Sequence, residues 1–382
     1  MPHTAFFGTD PNYRGILQSE EWSLCIGAGV CHGILPDWQD LTLAVLNNCA
    51  GQSLTGDEFK ELTKTGWGLD AWLQTAMNLL IKSKCPDPFS KYYDVLEAAL
   101  YGPILAKAEA VNQKAAIIAA LADPKKIKRM DVPGLLGFFE SQFGTSSIMA
   151  LAKWLQRLAN HPNTPHSVLS FNADGLLDTL SKLLDIQQRI DAKDPFMPPD
   201  RFFRSLRASD PPPTTSEDTG RRIPIYHLHG CLVPQSPAKA SRPGRESREN
   251  LIFPETTYGK ISGHVFTWQQ TVFLSHAQSH RILFVGLSMS DPNLRRWLAW
   301  CNENALEEHK SRKKRYATTT LPSKTSSTED YFIGRNIWIT ERPKSDRIAR
   351  TMEFSLAHLG ARICWLNSWG DLPAVLDNLC PA

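Results

Sequence analysis

A short apolar run that stops on two glycines constrains this chain more than any other feature. Leu24, Cys25 and Ile26 lead directly into Gly27-Ala28-Gly29. Strands buried on both faces of a parallel sheet read as unbroken apolar runs, and open α/β sheets bind ligands beyond the carboxyl ends of such strands. The segment therefore predicts a strand over 22–26 and a turn in which the backbone comes close to whatever it faces. A simple tight turn would leave the same mark, so the argument needs further strand ends of the same kind.

Three more follow. Residues 167–171 (SVLSF) read as a strand that ends at Asn172-Ala173-Asp174. Residues 223–228 (IPIYHL) end at His229-Gly230, and 281–287 (RILFVGL) end at Ser288-Met289-Ser290-Asp291. NIWIT (336–340) and RICWL (362–366) supply the last strands. Between them lie helical patterns: 36–50, with Trp38, Leu41, Val45 and Leu46 at helical spacing; a helix after Asn172; one over 261–279; one opening at Pro292 with Asp291 as its cap; and one over about 371–379. Residues 55–160 carry amphipathic runs without strand signals. The expected fold class is α/β, a Rossmann-like parallel sheet with helices on both faces and a helical insertion subdomain. The expected domains are a core of 1–54 and 161–382 with the insertion at 55–160. Segments at about 185–222 and 235–250, rich in Pro, Ser and charged residues, are expected to be exposed.

Composition narrows the class. With 42% hydrophobic and 21% charged residues, the 382-residue chain reads as globular. A net charge of +3 is too small to argue for nucleic acid by itself. No run approaches the roughly 18 apolar residues of a membrane span, and the first twenty lack the pattern of a secretory signal. The eight cysteines form no C-x-x-C pair, so neither a zinc ribbon nor a redox pair is expected, and Cys25, Cys49, Cys231 and Cys364 sit in apolar contexts. A reducing cytoplasm is the expected compartment.

Taken singly, the polar residues at the strand ends are ambiguous. His229 before a glycine can be a turn residue, Asn172 can cap the helix that follows, and Asp174 can bias that helix electrostatically. His227, Pro36, Trp38 and Cys31 are expected to be packing or loop residues. No full G-x-G-x-x-G with a distal acid is present, which argues against hydride transfer.

In their order, GAGVCHGILPDW, FNAD, HLHG and VGLSMSDP resemble the sirtuin-like family, and within it the bacterial branch whose members degrade NAD in anti-phage defence. The resemblance implies an NAD glycohydrolase yielding nicotinamide and ADP-ribose. Asn172 would orient the nicotinamide ribose and the attacking water, and His229 would act as base. Asp174 would contact the carboxamide. Gly27, Ala28 and Gly29 would cradle the phosphates, with Gly286, Ser288 and Asp291 on the adenosine side. The segment Glu255 to Tyr258 resembles a family stretch whose tyrosine lies near the active site. Protein-deacylating members carry four zinc cysteines and a serine where this chain has Cys31, so no zinc is expected. The branch further implies a gated effector: a homo-oligomer, assembled through the insertion, acting with a translocase-type ATPase or an Argonaute-like protein. No membrane partner is expected. Nucleic-acid contact by Lys125 to Arg129 or His309 to Arg315 is left open. An NAD-sensing binding module and a zinc-free deacylase are the alternatives.

Overall fold

The computed structural model describes residues 13–51, 53–159, 161–193, 203–208, 223–235, 251–263, 267–317 and 334–381. Seven strands form one parallel sheet: β1 (Trp22–Ile26), β2 (Val168–Ser170), β3 (Phe203–Leu206), β4 (Ile223–His227), β5 (Arg281–Val285), β6 (Asn336–Glu341) and β7 (Ala361–Leu366), in the order β3-β4-β2-β1-β5-β6-β7. From β1 the chain moves to one side, through β2. After β4 it returns to β5, on the other side of β1. This reversal is the switch point at which doubly wound sheets open a crevice. The register pairs Trp22 with Arg281 through to Ile26 with Val285, so both strands end level. Every residue of β1 and β5 is buried, which accounts for their continuous apolar sequences.

Among the described residues eight helices precede β3: α1 (Trp38–Ala50), α2 (Gly56–Thr63), α3 (Leu69–Lys82), α4 (Pro88–Ala110), α5 (Lys114–Ala122), α6 (Val132–Phe143), α7 (Ser147–Leu158) and α8 (Leu176–Asp191). Among the described residues five follow β4: α9 (Glu255–Gly263), α10 (Trp268–Ser279), α11 (Pro292–Ala317), α12 (Asp346–Ala357) and α13 (Leu372–Leu379). Local chemistry sets their ends. The Asp40 amide donates to Asp37 Oδ1 at 2.8 Å to open α1, which stops at Gly51 with φ 61°. Thr55 and Glu58 form a reciprocal capping box on α2. The Asn293 and Leu294 amides donate to Asp291 Oδ1 at 2.8 and 3.1 Å, as expected for the cap of α11.

The α/β reading holds, and among the described residues of 55–160 every regular element is helical. Three elements differ from expectation. Strand β3 interrupts the stretch expected to be exposed; its residues Phe203, Arg204 and Ser205 are only partly buried, so the segment lacks an apolar run. The helix expected over 261–279 is two helices, α9 and α10. Helix α12 was not expected: it buries only Ala349 and Leu356 and is mostly polar, although Ile348, Met352 and Leu356 stand at helical spacing. The segments 194–202, 209–222 and 236–250, parts of those expected to be exposed, lie outside the described residues.

The described residues divide into two compact units. One is drawn from 1–27, 165–169 and 266–382, the other from 28–164 and 170–265. The second unit is built around fully buried aromatic residues, including Tyr92, Tyr101, Phe139 and Trp154. Among the described residues no two of the eight cysteines form a disulfide, and seven are buried, Cys25, Cys49, Cys231 and Cys364 among them. Among the described residues, no helix is long and apolar enough to cross a membrane.

Candidate functional site

In the second unit, the chain leaving β2 folds Asn172 and Asp174 against the short 3-10 turn Ala28–Cys31. Asn172 does not cap a helix: α8 begins four residues later, and the Asn172 amide donates to Ser170 Oγ at 3.2 Å. Its side chain is buried. Asn172 Nδ2 donates to Cys31 Sγ at 3.5 Å, and the Cys31 thiol donates to Asp174 Oδ2 at 3.5 Å. Asn172 Oδ1 is buried with no hydrogen-bond partner among the described residues. An unsatisfied buried carbonyl costs about 1–3 kcal/mol, a cost that a ligand donor would offset.

Asp174 is fully buried, and burial pushes its carboxyl above the ordinary carboxylate range. Opposing that are the Leu176 amide, which donates to Oδ1 at 2.9 Å, the Cys31 thiol and the nearby His227. Asp174 thus biases the first turn of α8, as one reading of its position allowed. Burial, and then the charge of Asp174, push the Cys31 thiol well up. The thiol stays protonated at neutral pH and has no nucleophilic character. Cys31, expected only to pack, joins Asn172 to Asp174.

Strand β4 ends at His227, whose Nε2 lies 2.9 Å from Asp178 Oδ2. Burial pushes the Asp178 carboxyl up, but His227, Arg207 and Ser205 outweigh it and hold the group below its ordinary value. His227 is therefore a packed, paired residue, as expected. The chain then turns through Leu228 and His229 to Gly230, which adopts φ 76°. His229 sits edge-on between two aromatic rings, with centroids 4.9 Å from Phe171 and 5.5 Å from Tyr258. The tyrosine of the Glu255 to Tyr258 segment is thereby brought to the histidine.

Tyr101 of α4 braces both loops. Its hydroxyl donates to Leu232 O at 2.6 Å and accepts from the Gly175 amide at 3.3 Å, while the Leu232 amide donates to Ala173 O at 2.6 Å. One buried phenol from the helical region thus ties the segment after Asp174 to the segment after His229. Sequence gave no sign of it, since the contact with Leu232 spans 131 residues. In Tyr101→Phe, two buried backbone groups lose their partner. Its unfolding free energy in urea is expected to fall by about 1–3 kcal/mol. An unchanged midpoint and slope would show that the loops do not depend on this hydroxyl.

Ala28 and Gly29 belong to the second unit, while Gly27, Gly286, Ser288 and Asp291 lie in the first. A Cβ on Gly27 would stand 2.6 Å from Leu287 Cγ, 2.7 Å from Gly286 O and 3.0 Å from Leu287 Cα. The bare Cα of Gly27 is thus filled by the chain leaving β5. Gly286 has φ 70°, and Met289 holds a left-handed φ of 56°. Leu287 O accepts from Trp338 Nε1 at 2.8 Å, and Met289 O accepts from Arg295 Nη1 at 3.2 Å. Ser288 Oγ lies 2.6 Å from Ser290 Oγ, and Asp291 caps α11.

The basic run at Lys125 to Arg129 forms exposed 3-10 turns, with Lys126 paired to Asp123.

Residues 166–339 match a family described as SIR2-like domain. No curated protein matches the chain. The matched stretch takes in Asn172, Asp174, His229, Gly286, Ser288 and Asp291, and begins after the glycine turn and the helices α1 to α7. Over that stretch, a little under half of its length, the chain is similar to a SIR2-like domain, a likeness consistent with NAD-related activity.

Proposed function

We propose that this protein is an NAD glycohydrolase, cleaving NAD with water to nicotinamide and ADP-ribose. The observation that carries the reading is the buried Asn172 beside Asp174, with its Oδ1 unsatisfied, on a loop braced to that of His229. Nicotinamide is a cationic leaving group, so the protein needs no general acid. It must hold the ribose, limit water and place one nucleophile. Asn172 Oδ1 accepts from a ribose hydroxyl or from the attacking water. His229 takes that water's proton as its oxygen bonds to the anomeric carbon. The bond from that carbon to the ring nitrogen breaks, and its electron pair stays with nicotinamide. Asp174 receives the carboxamide.

Ala28 and Gly29 open a 3-10 turn whose first amides have no carbonyl within the turn to bond, and these we assign to phosphate. Gly27, Gly286, Ser288 and Asp291 retain the phosphate and adenosine roles that motif order alone assigns them. A catalytic core of 1–54 and 161–382 with an insertion at 55–160 belongs to the same reading, as does a zinc-free reaction. The test is nicotinamide release from NAD by the full chain, read by chromatography beside His229→Ala with its fold checked by circular dichroism. A sensing module would bind NAD and return it intact. A zinc-free deacylase would release nicotinamide only with an acylated peptide present.

Unrestrained NAD hydrolysis is toxic, so we further propose a gated anti-phage effector. It would act as a homo-oligomer, with a translocase-type ATPase or an Argonaute-like protein as partner. Mass photometry is expected to show species larger than the 42.8 kDa chain, alone or with co-expressed neighbours. Monomers throughout would remove this part of the proposal.

A further inference from the structure

Three histidines that the NAD reading does not use gather in the first unit. One ring nitrogen each of His166, His276 and His280 lies within 4.8 Å of the others. They stand at the amino ends of β2 and β5. His166 precedes β2, His280 directly precedes β5, and His276 is in the last turn of α10. Glu21, directly before β1, reaches the same place. Its Oε2 lies 3.3 Å from His280 Nε2.

We propose that His166, His276 and His280 bind one divalent transition-metal ion of the zinc class, with Glu21 available as a fourth ligand. The donor set is the one such ions take: imidazole nitrogens with a carboxylate. The tautomers suit it. His276 Nδ1 is 2.8 Å from Val272 O, and a proton donated there leaves Nε2 as a lone pair. His280 Nδ1 is 3.3 Å from Ser23 Oγ, which also accepts from Ser167 Oγ at 3.0 Å. The Ser23 hydroxyl oxygen can accept from Nδ1–H as well, and that tautomer leaves the Nε2 lone pair for metal.

The other charged groups facing the cluster are Arg335, held by the carbonyls of Gln278 and Ser279, and the Glu20–Arg281 pair.

Much of the supporting backbone is already fixed. The His166 amide donates to Trp22 O at 2.8 Å, the Arg281 amide to Glu21 O at 2.9 Å, and the His280 amide to His276 O at 2.8 Å. Zinc–nitrogen bonds of about 2.0–2.1 Å set ligand atoms about 3.3 Å apart, so the cluster must contract. His166 is exposed, while His276 and His280 are buried, so His166 supplies the movement. The ion would staple β1, β2, β5 and α10 together at the amino ends of these strands. The sequence signal is the H-x-x-x-H of 276–280, whose third partner lies 110 residues earlier, beyond the reach of spacing rules.

The experiment is calorimetric titration of the chelator-treated full chain with zinc chloride, beside His166→Ala and His276→Ala. His166 is exposed, so its variant keeps the fold even if loss of buried His276 does not. The expected result is one zinc per chain, bound at least tenfold more weakly by His166→Ala, with a zinc-dependent rise in Tm that this variant loses. No binding to the unaltered chain, or an affinity in both variants equal to that of the unaltered chain, would overturn the proposal, the latter by assigning the metal to thiols elsewhere.

Discussion

Asn172→Ala is expected to lower nicotinamide release from NAD by about 100- to 1,000-fold with the fold intact. The side chain gives the protein little that alanine would take away. Its one hydrogen bond is a 3.5 Å contact to the Cys31 sulfur, and its Oδ1 has no partner among the described residues. A structural asparagine would be satisfied by its own protein. One buried with an open acceptor has its use in a ligand. His229→Ala is expected to cost about 100- to 10,000-fold, the range for a general base. His229 packs on Phe171 and Tyr258, so the alanine also leaves a gap, and a modest loss of stability should accompany it. Asn172→Ala is therefore the cleaner variant. Unaltered turnover in both, with normal circular dichroism, would remove the cluster from the chemistry.

The largest effect on stability is expected at Gly27. In Gly27→Ala the added methyl group meets Gly286 O at 2.7 Å and Leu287 Cα at 3.0 Å, closer than such atoms can rest. Both are backbone atoms, so no rotamer change relieves them. The chain after β5 must shift, although Leu287 O is held by Trp338 Nε1. Overpacking of this kind costs about 1–3 kcal/mol, occasionally more, and the rigid neighbours put this case at the upper end. Gly29 provides the contrast. It is half-buried, and its φ is not among the positive values. Gly29→Ala should leave the urea midpoint near that of the unaltered chain while weakening NAD binding. Equal destabilisation by the two would show that the turn, not the approach of Gly286 and Leu287, sets the need for glycine.

This pair shows where sequence reading reached and where it stopped. The G-A-G turn was legible because a strand buried on both faces leaves an unbroken apolar run. What the first glycine faces was not, since the partner is 259 residues away at the end of β5. The same holds across the fold. Strands β1, β2, β4, β5, β6 and β7 announce themselves by hydrophobicity. Strand β3, at the edge of the sheet and half-buried, and helix α12, with two buried residues, do not. Asn172, Asp174 and His229 were readable as polar residues at strand ends. Cys31, Tyr101 and the three histidines act through contacts between distant segments, and no local pattern marks the first two.

The central claim is that the buried Asn172 cluster hydrolyses NAD. Its most direct test is incubation of the full chain with NAD in oxygen-18 water, with mass spectrometry of the products, beside Asn172→Ala. The account predicts nicotinamide and ADP-ribose in equal amounts, one heavy oxygen at the anomeric position, and near-complete loss of both products in the variant. NAD recovered intact from the unaltered chain, or turnover indifferent to Asn172, would contradict it.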